Sequence, residues 1–347
     1  MATPVHPTLG FYTLAGAPQS PRDMLDELAH AERLGLGTAF ISERFNIKEA
    51  GALTGAAVAT TSDINIITAA TNHTTRHPLV TASWASTLHL MSGGRFSLGL
   101  GRGIDAMFKA YGMPMATTAS LEEFALLMRR LWNGETVMNW SDVTGTYPVL
   151  RLDPAFRLSI PLSITVFGQK TLEMAGRSYD NVILHTFFTD ETTERAVRTV
   201  KQSAERAGRN PDDVKVWSCF ATIGDHISPE LRLKKTVGRL ATYLQAYGDL
   251  MVSTNNWDPG VLQRFRDDEF VRTFPGALDA KGTTADLERV APLIPDEWLA
   301  PSAQGSPAQC VSAIRNQFAL GCDGVIMHGA TPAELEPIVA AMGTAAR

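Results

Sequence analysis

The stretch that most constrains the fold is residues 64–105, where two short apolar strands flank one amphipathic helix. Residues 64–70 are apolar and β-branched without helical spacing, which is typical of a strand buried on both faces. Residues 79–91 carry apolar side chains three and four positions apart and end at a Ser-Gly-Gly sequence, so they predict a helix. A second strand over residues 95–101 completes a βαβ unit, whose strands are parallel and whose crossover is right-handed.

Both strands of this unit end in loops suited to binding. The first runs into a polar segment, residues 71–77, that precedes a proline. At the end of the second strand, Gly99, Gly101 and Gly103 lie two positions apart, so they share one face while the chain stays extended. Three missing side chains would leave a slot for a flat ring against bare backbone. The alternative is that small residues fit the taper of a closed barrel. The sequence here matches neither a phosphate-binding P-loop nor the dinucleotide fingerprint.

Strand and helix signals alternate along the 347 residues. A (β/α)8 barrel with insertions uses this length as one unit, and a hydrophobic content of 44% supplies a large core. We therefore predict an α/β fold: a single (β/α)8 TIM-barrel domain over residues 1–347, with a hairpin within 135–150 and a partly helical insertion at about 225–300. The predicted strands lie near residues 9, 38, 64, 96, 161, 181, 215 and 324.

Two predicted helices begin at polar or glycine-containing turns. Ser120, with Glu123 three residues later, predicts a capping box for a helix that starts at residue 121. Gly168-Gln169-Lys170-Thr171 follows the fifth predicted strand and opens the next helix. Backbone amides at that helix start would hold a phosphate, with Lys170 adding charge. An ordinary glycine turn is the alternative.

Charge and cysteine content narrow the classes of partner. The formal net charge is -5, the pI is about 5.9 and no basic stripe occurs, which argues against nucleic acid. Cys219, Cys310 and Cys322 lie far apart in or beside apolar segments, which predicts buried, reduced thiols and no metal site. We expect a cytoplasmic protein without a membrane anchor, because no run approaches the roughly 20 apolar residues of a membrane span.

The motifs of this central stretch resemble one enzyme family. They are Thr71-Asn72-x-x-Thr75-Arg76-His77-Pro78, then Thr87-Leu88, then Ser92-Gly93-Gly94-Arg95 with Gly99-x-Gly101-x-Gly103. This pattern is similar to the luciferase-like flavin and deazaflavin oxidoreductases, most of all the branch that uses the deazaflavin coenzyme F420. The similarity covers nearly the whole chain and is weakest between about residues 225 and 285. Related enzymes that use FMN share much of the stretch, so FMN is the alternative cofactor.

The resemblance implies a cofactor site at the carboxyl rim of the barrel. It places a strained bulge, often a cis non-proline bond, at Ala69-Ala70, the polar side chains that follow at the ring, and a phosphate near residue 168. The alternatives are that Thr71 and Asn72 only end a strand and that Arg102 forms a surface ion pair. The cofactor-binding residues implied are Ala69, Ala70, Thr71, Asn72, Gly101, Arg102, Gly103, Gly168, Gln169, Lys170 and Thr171.

Four side chains at predicted strand ends are candidates for proton transfer: Glu43, His73, His185 and His328. Many deazaflavin relatives show Asp, or Asp-His, after the second strand, where this chain has Glu43-Arg44. This chain therefore keeps a carboxylate at this position but lacks the neighbouring histidine that would act as a proton donor. We therefore favour cofactor orientation by Glu43 over proton transfer. A structural role is the alternative for each histidine.

The substrate pocket is predicted from aromatic and histidine side chains at the same rim. The residues are Phe11, Tyr12, His185, Phe187, Phe188 and His328. Ile104 stands where some sugar-phosphate-oxidising relatives have Glu, which disfavours a sugar phosphate as substrate.

Three functions follow from this comparison. The leading one is a coenzyme F420-dependent oxidoreductase that transfers a hydride between the deazaflavin and a small organic substrate, while the protein holds one ring face against that substrate. The second is an FMN-dependent luciferase-like monooxygenase, and the third is a deazaflavin-binding protein without turnover. The resemblance also implies a homodimer.

Overall fold

Strands and helices alternate along most of the chain in the computed structural model, which describes residues 5–15, 18, 20–44, 47–153 and 157–343. The strands are β1 (His6–Tyr12), β2 (Leu36–Ile41), β3 (Asn65–Thr68), β4 (Phe96–Leu100), β5 (Val137–Asp142), β6 (Gly145–Leu150), β7 (Leu162–Thr165), β8 (Asn181–Ile183), β9 (Lys215–Gly224), β10 (Ala303–Gly305) and β11 (Gly324–His328). The α-helices are α1 (Asp23–Arg33), α2 (Ala50–Thr60), α3 (Pro78–Met91), α4 (Asp105–Ala110), α5 (Thr118–Trp132), α6 (Gln169–Ser178), α7 (Asp190–Arg206), α8 (Pro229–Leu233), α9 (Arg239–Asn255), α10 (Pro259–Asp267), α11 (Glu269–Thr273), α12 (Leu278–Lys281), α13 (Thr284–Val290), α14 (Asp296–Leu299), α15 (Pro307–Ala319) and α16 (Pro332–Met342).

Eight parallel strands close into a barrel in the order β1, β2, β3, β4, β7, β8, β9 and β11, and β11 pairs back onto β1. The predicted (β/α)8 fold is confirmed, and each of the eight barrel strands lies at its predicted position. Strand β10 extends the sheet beside β9, while β5 and β6 form the predicted antiparallel hairpin outside the barrel.

Aromatic side chains fill the middle of the barrel. Phe40 and Trp217 lie edge to face, with ring centroids 5.2 Å apart. Two glycines make room for them, since a Cβ at Gly10 would lie 2.6 Å from the Phe40 ring and one at Gly324 would lie 2.4 Å from the Trp217 ring. The barrel is therefore a packed core, and a ligand has to bind at its end.

Helix α5 begins three residues earlier than predicted. Thr117 is its N-cap: the Thr117 hydroxyl accepts from the Ser120 amide at 3.0 Å, and the Ser120 hydroxyl accepts from the Thr117 amide at 2.9 Å. The predicted box of Ser120 with Glu123 is wrong, because Ser120 serves as the acceptor inside the first turn of a helix already capped by Thr117.

Helices α8 to α14 occupy residues 229–299 and pack around their own hydrophobic cluster, in which Trp257 and Trp298 stack with centroids 4.5 Å apart. A partly helical insertion was predicted for this segment. That the whole chain forms a single domain stays a prediction. A π-helical turn, Lys234–Gly238, leads into α9. Among the described residues, no helix is long and apolar enough to cross a membrane.

Candidate functional site

A cavity of about 180 Å³ opens at the carboxyl ends of the barrel strands, the end at which TIM-barrel active sites lie. Three predicted pocket residues, Tyr12, His185 and His328, line it, together with Ala69 from the predicted cofactor set. Side chains that were not predicted complete the wall, among them Ser42, Lys48, Thr186, Cys219, Arg239 and Tyr243. We call this space the barrel-end cavity.

The loops after β3 and β4 are joined to each other. The Ala69–Ala70 peptide bond is cis, as the resemblance implied. The Thr71 amide donates to the Gly99 carbonyl at 3.0 Å, the Gly101 amide donates to the Thr71 carbonyl at 2.9 Å, and Asn72 Nδ2 donates to the Gly101 carbonyl at 2.7 Å. The two predicted cofactor loops therefore lie side by side, and Ala69 brings them to the wall of the barrel-end cavity.

Glu43 is enclosed by protein partners. Its side chain is 1% exposed, and its two oxygens accept from Arg76 Nη2 at 2.5 Å and Nη1 at 3.1 Å. The Thr71 hydroxyl also donates to this carboxylate at 2.5 Å, and Arg76 reaches a second carboxylate, Glu49. Glu43 is not part of the cavity wall. The arrangement favours support of the Thr71 loop, whereas direct cofactor contact or proton transfer by Glu43 stays a prediction.

Gly99 in β4, with Gly101 and Gly103 just after this strand, does not leave one open slot. A Cβ at Gly99 would lie 1.7 Å from the Thr68 carbonyl oxygen, and one at Gly101 would lie 2.7 Å from Thr165 Oγ1. Gly103 has a φ of +79°, and its Cβ would meet the Phe108 ring at 2.2 Å. The expected slot is wrong, because neighbouring protein atoms occupy the space and the chain has left the extended conformation by Gly103. Close packing within the barrel was the correct alternative for Gly99.

His185 is fixed in one tautomer. Its Nδ1 lies 3.0 Å from the Thr186 carbonyl oxygen, which can only accept, so Nδ1 carries the proton. The other ring nitrogen, Nε2, then accepts from the Tyr247 hydroxyl at 3.0 Å. Tyr247 interrupts α9 with a non-helical φ of −156°. Removal from water lowers the pKa of His185 to about 4, so the ring is neutral at neutral pH.

The other two candidate histidines are also neutral but lie in different places. The His328 ring meets Tyr12 edge-on at 5.4 Å, and burial, reinforced by the charge of Arg239, holds its pKa well below the usual value. His73 lies against Phe124, with centroids 4.9 Å apart, and does not line the barrel-end cavity. Neither ring nitrogen of His73 has a hydrogen-bond partner in the described chain, and burial lowers its pKa to about 4. His73 therefore makes no contact with the barrel-end cavity, and its catalytic role stays a prediction.

Three cationic side chains line the barrel-end cavity: Arg44, Lys48 and Arg239. Lys48 is 6% exposed, and its Nζ donates to the Leu14 carbonyl at 3.1 Å. Burial, with the nearby charge of Arg44, lowers the pKa of Lys48 to about 8. Arg239 is 9% exposed and pairs with Asp279 at 2.7 Å. No Asp or Glu of the described segments joins the wall, so the cavity favours negative charge.

A second cavity, of about 410 Å³, lies at the start of α6, and we call it the α6 cavity. Gly168 is the N-cap of this helix, with φ −91° and ψ 164°, and a Cβ there would meet no atom within 4 Å. Gly168 and Gln169 line the cavity with Phe188 and Arg195, whereas Lys170 and Thr171 do not. The α6 cavity therefore suits an anion, because it contains the positive end of the α6 dipole and the guanidinium of Arg195.

Several predicted residues do not line the barrel-end cavity; they include Phe188, which lines the α6 cavity, and Phe11, Phe187 and Arg102. Phe11 is fully buried in the main core, because it precedes Tyr12 by one position and strand neighbours point to opposite faces. Phe187 has a φ of +63° and packs in the cluster of helices α8 to α14. Neither Phe11 nor Phe187 lines the barrel-end cavity, and their placement in the substrate pocket stays a prediction. Arg102 is exposed in the loop before α4 and lines neither of the two cavities.

Two of the wall residues that sequence reasoning missed, Arg239 and Tyr243, come from α9. Arg239, Tyr243 and Tyr247 are spaced four apart, so they share a helix face, and a charged and aromatic face of this kind is a usable signal. It lies in the segment with the weakest family resemblance. Lys48 follows β2 in a loop and gives no comparable signal.

Comparisons with known proteins agree with this geometry. The family model described as luciferase-like monooxygenase matches residues 8–324. The chain is 27% identical over 318 residues to a 5,10-methylenetetrahydromethanopterin reductase of Methanolobus tindarius, which covers 88% of this chain and 91% of that protein. The structure of a coenzyme F420-dependent tetrahydromethanopterin reductase from Methanopyrus kandleri superposes with a TM-score of 0.78 at 20% identity, covering 96% of this chain and 97% of that one. An F420-dependent secondary alcohol dehydrogenase gives 0.72 at 17% identity, covering 98% and 99%. The chain belongs to the luciferase-like monooxygenase family.

Proposed function

We propose that this protein is a coenzyme F420-dependent oxidoreductase, which transfers a hydride between the deazaflavin and a small organic substrate held in the barrel-end cavity. The observation that carries the proposal is the pair of cavities on either side of the β7–α6 loop, one walled by rings and one at a helix N-terminus. The reductase relative supports the predicted reaction class, and the two F420-dependent proteins of the same fold support the predicted cofactor class. FMN is the alternative cofactor.

The residues of the β7–α6 loop fit the phosphate of such a cofactor. A Cβ at Gly168 would point into open space, so a ligand can approach the backbone there without displacing protein atoms. The backbone at the start of α6, at Gln169, and the guanidinium of Arg195 would hold the phosphate. Ala69, on the wall of the barrel-end cavity, would face the ring. When bound, the cofactor supplies the hydride chemistry.

The protein's own residues shape the space in which that chemistry takes place. The rings of Tyr12, Tyr243 and His185 line the cavity, and where they cover a bound substrate they would shield it from water and strengthen its polar interactions. His185 donates a hydrogen bond from Nδ1 to the Thr186 carbonyl and accepts one at Nε2 from the Tyr247 hydroxyl, so its ring is held in place as part of the cavity wall. Neither His185 nor His328 is an imidazolium at neutral pH, and neither supplies a proton from that form.

The deciding experiment is identification of the cofactor. The protein is purified from a host that makes both F420 and FMN, the released small molecules are identified by mass spectrometry, and the affinity for each is measured by fluorescence titration. We expect tighter binding of F420 and exchange of deuteride between reduced F420 and members of a panel of ketones, alcohols and imines. Selective binding of FMN would favour the monooxygenase. Binding of F420 without exchange into any panel member would favour the non-catalytic deazaflavin-binding protein.

We also propose a homodimer, a cytoplasmic location and no nucleic-acid partner. The dimer is supported by apolar side chains on α3 that are largely exposed: Val80 at 55%, Leu90 at 50% and Met91 at 60%. Light scattering that gives the mass of one chain at working concentration would remove the dimer. The net charge of -5 supports the absence of a polyanionic partner.

A further inference from the structure

We infer that the barrel-end cavity binds an anionic group of the substrate, a carboxylate or a phosphate-type oxyanion, through Lys48 and Arg239. The inference rests on the proposed function for the reaction and adds the chemical class of the substrate. It depends on two buried cations, on the composition of the cavity wall and on the size of the cavity.

Lys48 is a buried cation without a direct counter-ion. It is 6% exposed and forms no ion pair with any residue in the described ranges. Its single hydrogen bond, to the Leu14 carbonyl, uses one of three ammonium donors. The carboxylate of Glu27 acts on it only at a distance, since Glu27 accepts from the Thr13 hydroxyl at 2.5 Å and the Leu14 amide at 2.7 Å. Because burying an unpaired charge is costly, this site is improved by an anionic ligand.

Arg239 supplies a second, oriented cation. Asp279 holds its Nη1 at 2.7 Å, and the guanidinium lies over the Tyr243 ring at 5.7 Å from the centroid. A guanidinium presents five donors, so the pair with Asp279 leaves capacity for an oxyanion. Arg44 adds a third positive charge to the wall, and no carboxylate of the described residues belongs to it. The charges of the wall therefore select an anion over a neutral isostere.

The size and the rings of the cavity indicate the body of that anion. A volume of about 180 Å³ is close to the roughly 150 Å³ of an engineered apolar cavity that binds benzene. Tyr12, Tyr243 and His328 give the wall flat surfaces. A small planar acid suits this space, and benzoate is a suitable probe, with benzamide as its neutral isostere.

The test compares benzoate with benzamide by isothermal titration calorimetry on the F420-loaded protein and on the cofactor-free protein. Wild type should prefer benzoate by at least about tenfold. Lys48→Gln keeps a donor for the Leu14 carbonyl but loses the charge, and it should lose most of this preference while F420 affinity stays within about twofold. Lys215→Gln is the control, because Lys215 is 51% exposed at the start of β9, at the other end of the barrel.

Three results would overturn the inference. Equal affinity for benzoate and benzamide in wild type, or no benzoate binding at millimolar concentration, would remove the anion site without any variant. A Lys48→Gln protein that retains the full preference would remove Lys48 from it. A tenfold loss of F420 affinity in Lys48→Gln would assign the cations to the cofactor instead of the substrate. Failure of wild type to bind F420 contradicts the proposed function alone, because the comparison on the cofactor-free protein still decides the anion site.

Discussion

Replacement of Gly168 by aspartate should separate the stability of the fold from the affinity for the cofactor phosphate. Gly168 is the N-cap of α6 in an extended conformation, and a Cβ there would meet no atom within 4 Å. Aspartate is a favoured N-cap, and its charge interacts well with the positive end of the helix. We therefore expect the free energy of unfolding to rise by roughly 0.5–1 kcal/mol in Gly168→Asp.

The same carboxylate should weaken cofactor binding. Two negative charges about 5 Å apart repel by about 1 kcal/mol in water and by about 3 kcal/mol at the effective dielectric of a protein surface. Gly168 lies at the edge of the α6 cavity, between these limits, so F420 affinity should fall by roughly 5- to 150-fold. Gly168→Asn has almost the same volume and capping ability without the charge, and it should gain stability with a much smaller loss of affinity.

The assay is a fluorescence titration of F420 into both variants at low and high salt, with thermal unfolding of each protein measured beside it. The difference in affinity between the Asp and Asn variants should shrink as salt rises, because the repulsion acts through solvent. If the two folded variants bind F420 equally well at low salt, the phosphate does not lie at the start of α6 and this reasoning is refuted.

Three further predictions concern stability. Glu43→Gln should lower the free energy of unfolding by roughly 1–3 kcal/mol, because Arg76 exchanges a buried carboxylate for a neutral amide and keeps only Glu49 as an ion-pair partner; an unchanged urea midpoint would contradict this. Gly101→Ala should lower the melting temperature, since its Cβ would lie 2.7 Å from Thr165 Oγ1, and calorimetry that finds no change would argue against the contact. Burial lowers the pKa of His73 from 6.5 to about 4. As pH falls from about 6.5 to 4, the imidazole is therefore protonated in the unfolded chain but not in the folded one, and the free energy of unfolding should decrease by up to about 3 kcal/mol. His73→Phe should flatten the loss, and parallel pH profiles of unfolding for the two proteins would disprove it.

The barrel could be predicted because several local signals agree at each strand. At β3 and β4, β-branched and apolar runs end at polar or glycine-containing loops, and both strands lie where these signals placed them. The start of α5 could not be predicted in the same way. Thr117 and Ser120 both carry a hydroxyl suited to capping, and the choice between them depends on Ser120 being 5% exposed within the first turn.

The site was predictable at strand ends and less so elsewhere. Tyr12 and His328 follow from the rule that parallel strands deliver their last residues to one rim. Phe11 was placed with Tyr12, although a shift of one residue along a strand reverses the face. Arg239 reaches the cavity from a helix whose position depends on how residues 229–299 pack over the barrel; the spacing along α9 marks a charged and aromatic face but does not show that this face meets the cavity.

The barrel-end cavity divides its tasks between two parts of the chain. Barrel strands and their immediate ends supply neutral rings that can hydrogen-bond, Tyr12, His185 and His328, and burial keeps both histidines uncharged. The β2 loop and α9 supply the positive charge at neutral pH, through Lys48 and Arg239, and the charge of Arg239 itself disfavours a second proton on His328. Charge and hydrogen bonding are therefore provided by different segments. Because the cations come from outside the strands, changes in the loop and in α9 can alter which anion is accepted while the strand ends beside Ala69 keep their arrangement.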